Sequence, residues 1–547
     1  MSEIVVYTAK TIRTMEPSLP VATAVAVRDG RIVELGSLET IRPWLDAHPH
    51  RIDRTFEKHV LTPGFIDPHL HPQMAAYLLQ CEFITAMEWQ LPHKTVAPVR
   101  SRDAWLARLR ELHEAEPEPD LPIFTWGHHR NWHGEIWRED LNGISRTRPL
   151  VLVHRSFHET VMNDAALKYF GIDEDQMRGV YQVDIDRGHF YEAGNRHVRA
   201  KLSGYLLSPQ RIGPAMKLTA DVIHLGGHTT VGDMAFSMFN ADMEWAAYRS
   251  VYDNDATPFR IEIVPAISIA GVGATLEQAQ QWPERNTHRL RFSKHVKLFT
   301  DGAFFSQLMQ LGEPGYVDGH DGEWLMTPEV FEKNARELWH AGMNIHVHCT
   351  GDMGVELALD TLEKLQWERP RFNHRFTIEH FGISTPAQAR RIADLGAIVS
   401  ANAYYLYELS DIYSREGVGY ERASQMARLG SLVRNNVPFA LHSDFTMAPA
   451  RPLQHAWIAV NRINAAGNVM CADERVTLDA AMRAITINAA YALGRENEIG
   501  SIAQGKKADF TVLEADPYET PVENLRDIPI WGTIFEGTPF PLGKPRY

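Results

Sequence analysis

The chain has 547 residues, 44% of them apolar and 23% charged, with a formal charge of -14. That length exceeds the needs of one ordinary core, so two domains are expected, one of them large. The acidic balance disfavours nonspecific binding to nucleic acid or to an anionic membrane surface, because both need basic patches.

From the N-terminus, Met1-Ser-Glu-Ile-Val-Val-Tyr7 lacks the basic region and apolar stretch of a secretory signal. Residues 3 to 60 read as short strands, Ile4–Tyr7, Ala22–Val27 and Arg31–Leu35, with Asp29-Gly30 marking a hairpin turn. Gly500-Ser-Ile-Ala-Gln-Gly505 followed by Ala508–Leu513 forms a second strand-rich unit near the C-terminus. Neither unit is long enough to stand alone, so residues 1–60 and 491–547 are expected to pair into one small β-sandwich domain.

Between them, residues 61–490 alternate strand and helix patterns. Phe65-Ile66 is followed by candidate strands Thr229–Asp233, Arg260–Val264, His295–Phe299, Met343–His348, Phe376–His380, Ala397–Asn402 and Pro438–His442. Amphipathic helices such as Pro328–Trp339 and Gly354–Leu365 intervene. Eight strand–helix units are the count of a (β/α)8 barrel, and the stretch from about 73 to 225 reads as a large insertion after the first strand. No window approaches a membrane-crossing helix of roughly 20 apolar residues. Cys81, Cys349 and Cys471 are too few and too scattered for a disulfide framework, so a cytoplasmic protein is expected.

Barrel enzymes carry their chemistry at the C-terminal ends of the strands. The first strand ends in Leu61-Thr-Pro-Gly-Phe-Ile-Asp-Pro-His-Leu-His-Pro72. Side-chain alternation turns His69 and His71 the same way, a geometry suited to zinc or a related divalent ion. Lys297 marks the fourth strand, and carbamylation by CO2 would convert its amine into a carboxylate able to bridge two ions. His348 ends the fifth strand, with His346 one layer deeper as an interior histidine, and His380 ends the sixth. Asp444 follows the eighth. Singly, each has a plainer reading: a snorkelling lysine, a buried histidine satisfied by backbone, a turn aspartate. Jointly they argue against coincidence.

These residues resemble the amidohydrolase superfamily of metal-dependent hydrolases, in the branch that contains N-substituted formamide deformylases. The resemblance runs nearly end to end, through His69/His71, Lys297-Leu-Phe-Thr-Asp-Gly302, His348-Cys-Thr-Gly-Asp352, Ile378-Glu-His380, Ser443-Asp444 and Gly500–Asp509. It implies that His69, His71, Lys297 and Asp444 hold one metal, with Lys297, in carboxylated form, bridging to a second held by His348 and His380. His158, in His158-Glu-Thr-Val-Met-Asn163, matches a branch element on the substrate side. The chain departs from related ones after Asp301-Gly302, where Ala303-Phe-Phe-Ser follows, and after Gly351-Asp352, where Met353 replaces the usual arginine.

The reaction expected is attack by a metal-activated hydroxide on a non-peptide C–N bond, with Asp444 as base and then acid and His158 steadying the oxyanion. One or two divalent ions per chain, zinc first, are expected. Phe124-Thr-Trp-Gly-His-His-Arg-Asn-Trp-His-Gly-Glu-Ile-Trp137 is dense in aromatics, and reads either as an apolar lid or as the insertion's own core. Trp126 and Asp301 join His158 as substrate-side candidates, and Phe304, Phe305, Tyr404 and Tyr405 as an apolar rim. Together these point to a small, aromatic or bulky substrate, with a homodimer as the assembly. The competing readings are a heterocycle deaminase, a metal-assisted decarboxylase or isomerase, and a non-catalytic regulatory metalloprotein.

Overall fold

The computed structural model describes residues 3–118, 120–238, 240–267 and 273–543. They form two compact units. The larger comprises residues 3–71, 220–302 and 309–543, and the smaller comprises residues 72–219 and 303–308. The first two and last four residues of the expected terminal β-domain lie outside the described residues.

In the larger unit, strands from both ends of the chain share one seven-stranded sheet, where two stacked sheets were expected. Its centre is the strand His50–Pro63, parallel to Ile4–Arg13 on one side and antiparallel to Phe510–Leu513 on the other. Thr62 pairs with Thr511, so the C-terminal strands are hydrogen-bonded into the same sheet as the N-terminal ones. Asp29 and Gly30 both take positive φ, 52° and 73°, the geometry of a tight hairpin turn. One apolar cluster of this sheet gathers Tyr7, Ile12, Val25, Phe56, Leu61, Phe510, Val512 and Ile534. Each such fully buried large side chain contributes about 1.5–3 kcal/mol.

The same unit holds two parallel runs. We label their principal strands β1 (Phe65–Leu70), β2 (His228–Phe236), β3 (Arg260–Pro265), β4 (His295–Phe299), β5 (Asn344–Cys349), β6 (Thr377–His380), β7 (Ile398–Ala401) and β8 (Phe439–Leu441). One sheet runs Leu290–Phe292, β3, β2, β1, and the other runs β4 through β8 in chain order. An isolated parallel bridge joins Ala266 to Lys297, and the Asp444 amide, just after β8, donates to the His69 carbonyl at 2.8 Å. Small helical residues let the layers approach: Ala489, Ala490 and Ala492 pack on Ile66, Met234, Val264, Ile398 and Ala440. Helix starts follow local chemistry. Thr385 caps the helix Pro386–Asp394, and Gln388 completes a reciprocal capping box. The buried Arg260 of β3 reaches Asp509 and Glu536 of the terminal sheet, tying the two layers by charge. No helix among the described residues is long and apolar enough to cross a membrane.

The smaller unit is built on a six-stranded sheet ordered Val183–Asp184, His189–Tyr191, Glu159–Met162, Leu150–His154, Ile123–His128, Glu82–Phe83. The helix Arg102–Ala115 packs Trp105, Leu106 and Leu109 onto Ile84, Ile123, Leu150 and Leu152.

Candidate metal centre

The strand ends of the larger unit converge on Asp444. Its Oδ1 lies 2.9 Å from His71 Nε2 and 3.7 Å from His69 Nε2, and its Oδ2 lies 3.8 Å from His380 Nδ1. The ligand-type atoms of His69, His71 and Asp444 all lie within 4.8 Å of one another, as do those of His69, His380 and His442. His348 stacks edge-on against His380 with ring centroids 4.4 Å apart. Burial, reinforced by neighbouring positive charge, pushes the His69 and His380 imidazoles well below their usual range, so both stay neutral, the form that binds metal.

Two of these residues owe their direction to unusual backbone. His380 has φ 72° and Asp444 has φ 53°, the left-handed region that non-glycine residues rarely enter. Strand alternation would turn Glu379 and His380 to opposite faces. The reversal at His380 instead brings both to the same cluster.

Glu379 is the residue that sequence reasoning passed over. Fully buried, it sits 2.8 Å from His69 Nδ1 and 2.6 Å from His346 Nδ1. Burial alone would raise its carboxyl, but the His346 hydrogen bond and the Lys297 charge hold it down to about 2. A carboxylate can only accept, so both imidazoles donate from Nδ1. His346 Nε2 then accepts from His295 Nδ1 at 2.7 Å, and His295 Nε2 accepts from the Asn344 amide at 3.3 Å. The proton assignment, inferred from this chain of contacts, leaves His69 Nε2 with a bare lone pair toward Asp444. His442 was also missed: its Nδ1 is 2.7 Å from Ser400 Oγ and its Nε2 3.3 Å from His380 Nδ1. The signal for Glu379 was its place inside Ile378-Glu-His380, next to a singled-out ligand.

Lys297 pairs with His346 across the β4–β5 ladder and is 1% exposed. Its Nζ is buried without a hydrogen-bond partner. Burial lowers its ammonium to about 8 against the opposing pull of Glu379 and Asp444.

The substrate-side candidates divide. Asp301 is fully buried, and its carboxylate accepts from Thr350 N at 3.0 Å, Gly351 N at 2.7 Å and Gln310 N at 3.1 Å. It therefore clamps the loop after β5; a Cβ on Gly351 would sit 2.1 Å from the Gln310 carbonyl oxygen, so the clamp needs glycine there. Trp126 is likewise fully buried, with ring centroids 4.7 Å from Phe83 and 5.3 Å from Trp89, and the Arg155 guanidinium lies 4.7 Å over it. Of the two readings of the aromatic segment, Trp126 follows the core one. Phe305 closes the same cluster, 4.1 Å from Arg155. His158 is half-buried in the smaller unit, its Nδ1 2.9 Å from Glu192 Oε2. Against burial, which lowers it, the Glu192 charge raises the His158 imidazolium. In the larger unit Tyr405 lies 6.4 Å from the His380 ring.

A cluster of imidazoles and one carboxylate at the ends of parallel strands defines a protein of metal-site α/β architecture. The amidohydrolase family model matches residues 57–540, and the chain belongs to the amidohydrolase family. It is accordingly an enzyme, a hydrolase of carbon–nitrogen bonds. N-substituted formamide deformylase of Arthrobacter pascens is 24% identical over 98% of this chain and 98% of its own length. Protein LONG AFTER FAR-RED 3 of Arabidopsis thaliana is 25% identical over 93% of this chain and 87% of its own. Among solved structures, an uncharacterized metal-dependent hydrolase from Pyrococcus horikoshii OT3 superposes with a TM-score of 0.73 at 20% identity, covering 95% of this chain and 99% of that one.

Proposed function

We propose that this protein hydrolyses a non-peptide C–N bond, an amide, N-formyl or N-acyl group, of a small molecule, using one or two divalent ions. On this reading the two parallel runs close as one eight-stranded barrel, a closure supported by the Ala266–Lys297 bridge and by the Asp444-to-His69 hydrogen bond. The observation that carries the proposal is the convergence of His69, His71 and His380 on Asp444, with the Nζ of Lys297 buried and unpartnered nearby. A buried ammonium without a hydrogen-bond partner is costly, by several kcal/mol before the pull of Glu379 and Asp444 is counted. Carboxylation would make Lys297 an anionic ligand instead, so the residues fit the group.

His69, His71, Asp444 and carboxylated Lys297 would hold one ion, and Lys297 with His348 and His380 would hold a second. When bound, such an ion supplies Lewis acidity that lowers the pKa of a ligated water from about 15.7 toward 7. Asp444, on a strained backbone that aims its carboxylate among three imidazoles, takes the proton from the attacking water and returns it to the leaving amine nitrogen. Glu379 fixes the tautomer of His69. Tyr405 beside His380 supports an apolar or aromatic substrate.

A second reading, a heterocycle deaminase with one ion, draws on the tight grouping of ligand atoms around Asp444. Incubating the metal-loaded enzyme with N-formyl and N-acyl arylamines, and separately with aminated heterocycles, decides between them. Formate or acid with free amine supports the amidase; ammonia from the heterocycles alone overturns it.

A further inference from the structure

Beside the cluster, two buried histidines each leave one ring nitrogen without a hydrogen-bond partner. His228, at the start of β2, has Nδ1 2.9 Å from the Ile223 carbonyl oxygen. A carbonyl only accepts, so Nδ1 carries the proton and Nε2 is bare. His455, on the helix Pro452–Asn461, has Nε2 3.0 Å from the Pro449 carbonyl, which leaves Nδ1 bare by the same reasoning. Both bare nitrogens are buried without a partner. Burial pushes both imidazoles down to about 4, so they remain neutral acceptors.

The two rings line one small buried cavity together with Asp67, His442 and Ser443. The room in it for the centre of a water molecule is ≈ 10 Å³. One water needs about that volume and two to four polar partners. The third acceptor is Asp67, whose Oδ2 lies 4.0 Å from His228 Nε2. That separation decides the occupant. A metal at roughly 2.0–2.1 Å from each atom would be almost linear between them, far from tetrahedral. A water donating at about 2.8 Å to each spans 4.0 Å at an angle near 90°. Glycine at 226 belongs to the same arrangement, since a Cβ there would sit 2.2 Å from the Ala450 oxygen and 2.5 Å from His228 Cε1.

We propose that this cavity is a water-binding site, in which one buried water donates to two of the three acceptors at a time, and that it positions the metal centre through Asp67. Asp67 accepts from the His69 amide at 3.2 Å and from Ser443 Oγ at 2.5 Å, and Ser443 precedes Asp444. His228 and His455 are thus positioning residues for His69 and Asp444. The positioning role rests on the proposed metal centre; the water site does not.

The test is a crystal structure at about 1.5 Å or better, with data collected at the zinc edge, of the metal-free and zinc-loaded protein. Both forms are expected to show a solvent peak without anomalous signal, about 2.8 Å from His228 Nε2. An empty cavity or an anomalous peak overturns the water site. For positioning, His455→Leu removes the Nδ1 acceptor, whereas His455→Asn keeps one nearby and loses the same Pro449 bond. Zinc affinity by chelator competition is expected to fall about tenfold in His455→Leu and to stay within about twofold in His455→Asn. Equal affinities in wild type and His455→Leu overturn the positioning role. If wild type binds no zinc, the metal reading fails and takes positioning with it, while the solvent peak still decides the water site.

Discussion

Glu379→Gln tests whether the buried carboxylate sets the tautomer of His69. In the native protein one anion accepts from two imidazoles, at 2.8 Å from His69 and 2.6 Å from His346. Glutamine offers one acceptor and one donor, so one of the two Nδ1–H groups meets an N–H. His346 is committed by His295 behind it, 2.7 Å away, so the mismatch falls on His69. Relieving it moves the proton of His69 to Nε2, the atom facing Asp444. Each charge-assisted bond contributes about 1.5–3 kcal/mol, and loss of an outer partner of a ligating histidine typically costs about 10–100-fold in metal affinity. The expected result is zinc binding weaker by that factor, read by competition with a chromophoric chelator, in a protein whose circular dichroism is unchanged. Affinity within about twofold of wild type would refute the reasoning.

Asp444→Asn should keep the fold and lose most turnover, by two to four orders of magnitude if Asp444 moves the proton; near-normal kcat on a competent substrate would remove it from that role. Lys297→Gln should eliminate any bicarbonate dependence of activity and metal loading, whereas a variant that still responds to bicarbonate would contradict carboxylation at that position. Glu536 bears on stability and pH. Burial would raise its carboxyl, but Lys507 and Arg260 hold it down to about 2. A depressed carboxyl stabilises the fold above its unfolded pKa, near 4.5, and that stabilisation is lost as pH falls toward 2. Glu536→Gln should therefore lower urea-unfolding stability by about 2 kcal/mol at pH 7, with the gap from wild type closing below about pH 4.5. A gap that is constant or widening down to pH 3.5 would contradict the ion network.

Much of the parallel layer was legible because buried strands announce themselves by composition and length. His295–Phe299 was read with its observed bounds, and the other parallel strands within a few residues. Alternation turns His69 and His71 the same way, but reading them as ligands took the whole set of strand-end residues. Glu379 was not legible, because alternation forbids two consecutive residues from sharing a face, and the left-handed turn at His380 that permits it has no sequence signature beyond the motif itself. His442 was also passed over, although it ends the candidate strand Pro438–His442, because attention went to Asp444 two residues on. The surroundings of Asp301 and Trp126 were not legible, because each is enclosed by partners far away in the chain, Thr350 and Gly351 for one and Phe83 and Trp89 for the other. Pairings of that range are set by tertiary packing, which local pattern does not encode. For the terminal sheet, pairing of the two ends was expected from their strand patterns, but not the register in which Thr62 meets Thr511.

Metal content per chain, by elemental analysis of protein purified without chelators and with bicarbonate present, tests the central claim most directly. The account predicts at least one equivalent of zinc or a related divalent ion in wild type, falling to near zero in His69→Ala with the fold intact. Two equivalents would add the Lys297-bridged site. Essentially none in wild type, even after reconstitution with zinc or manganese, would contradict the metal centre and with it the proposed chemistry.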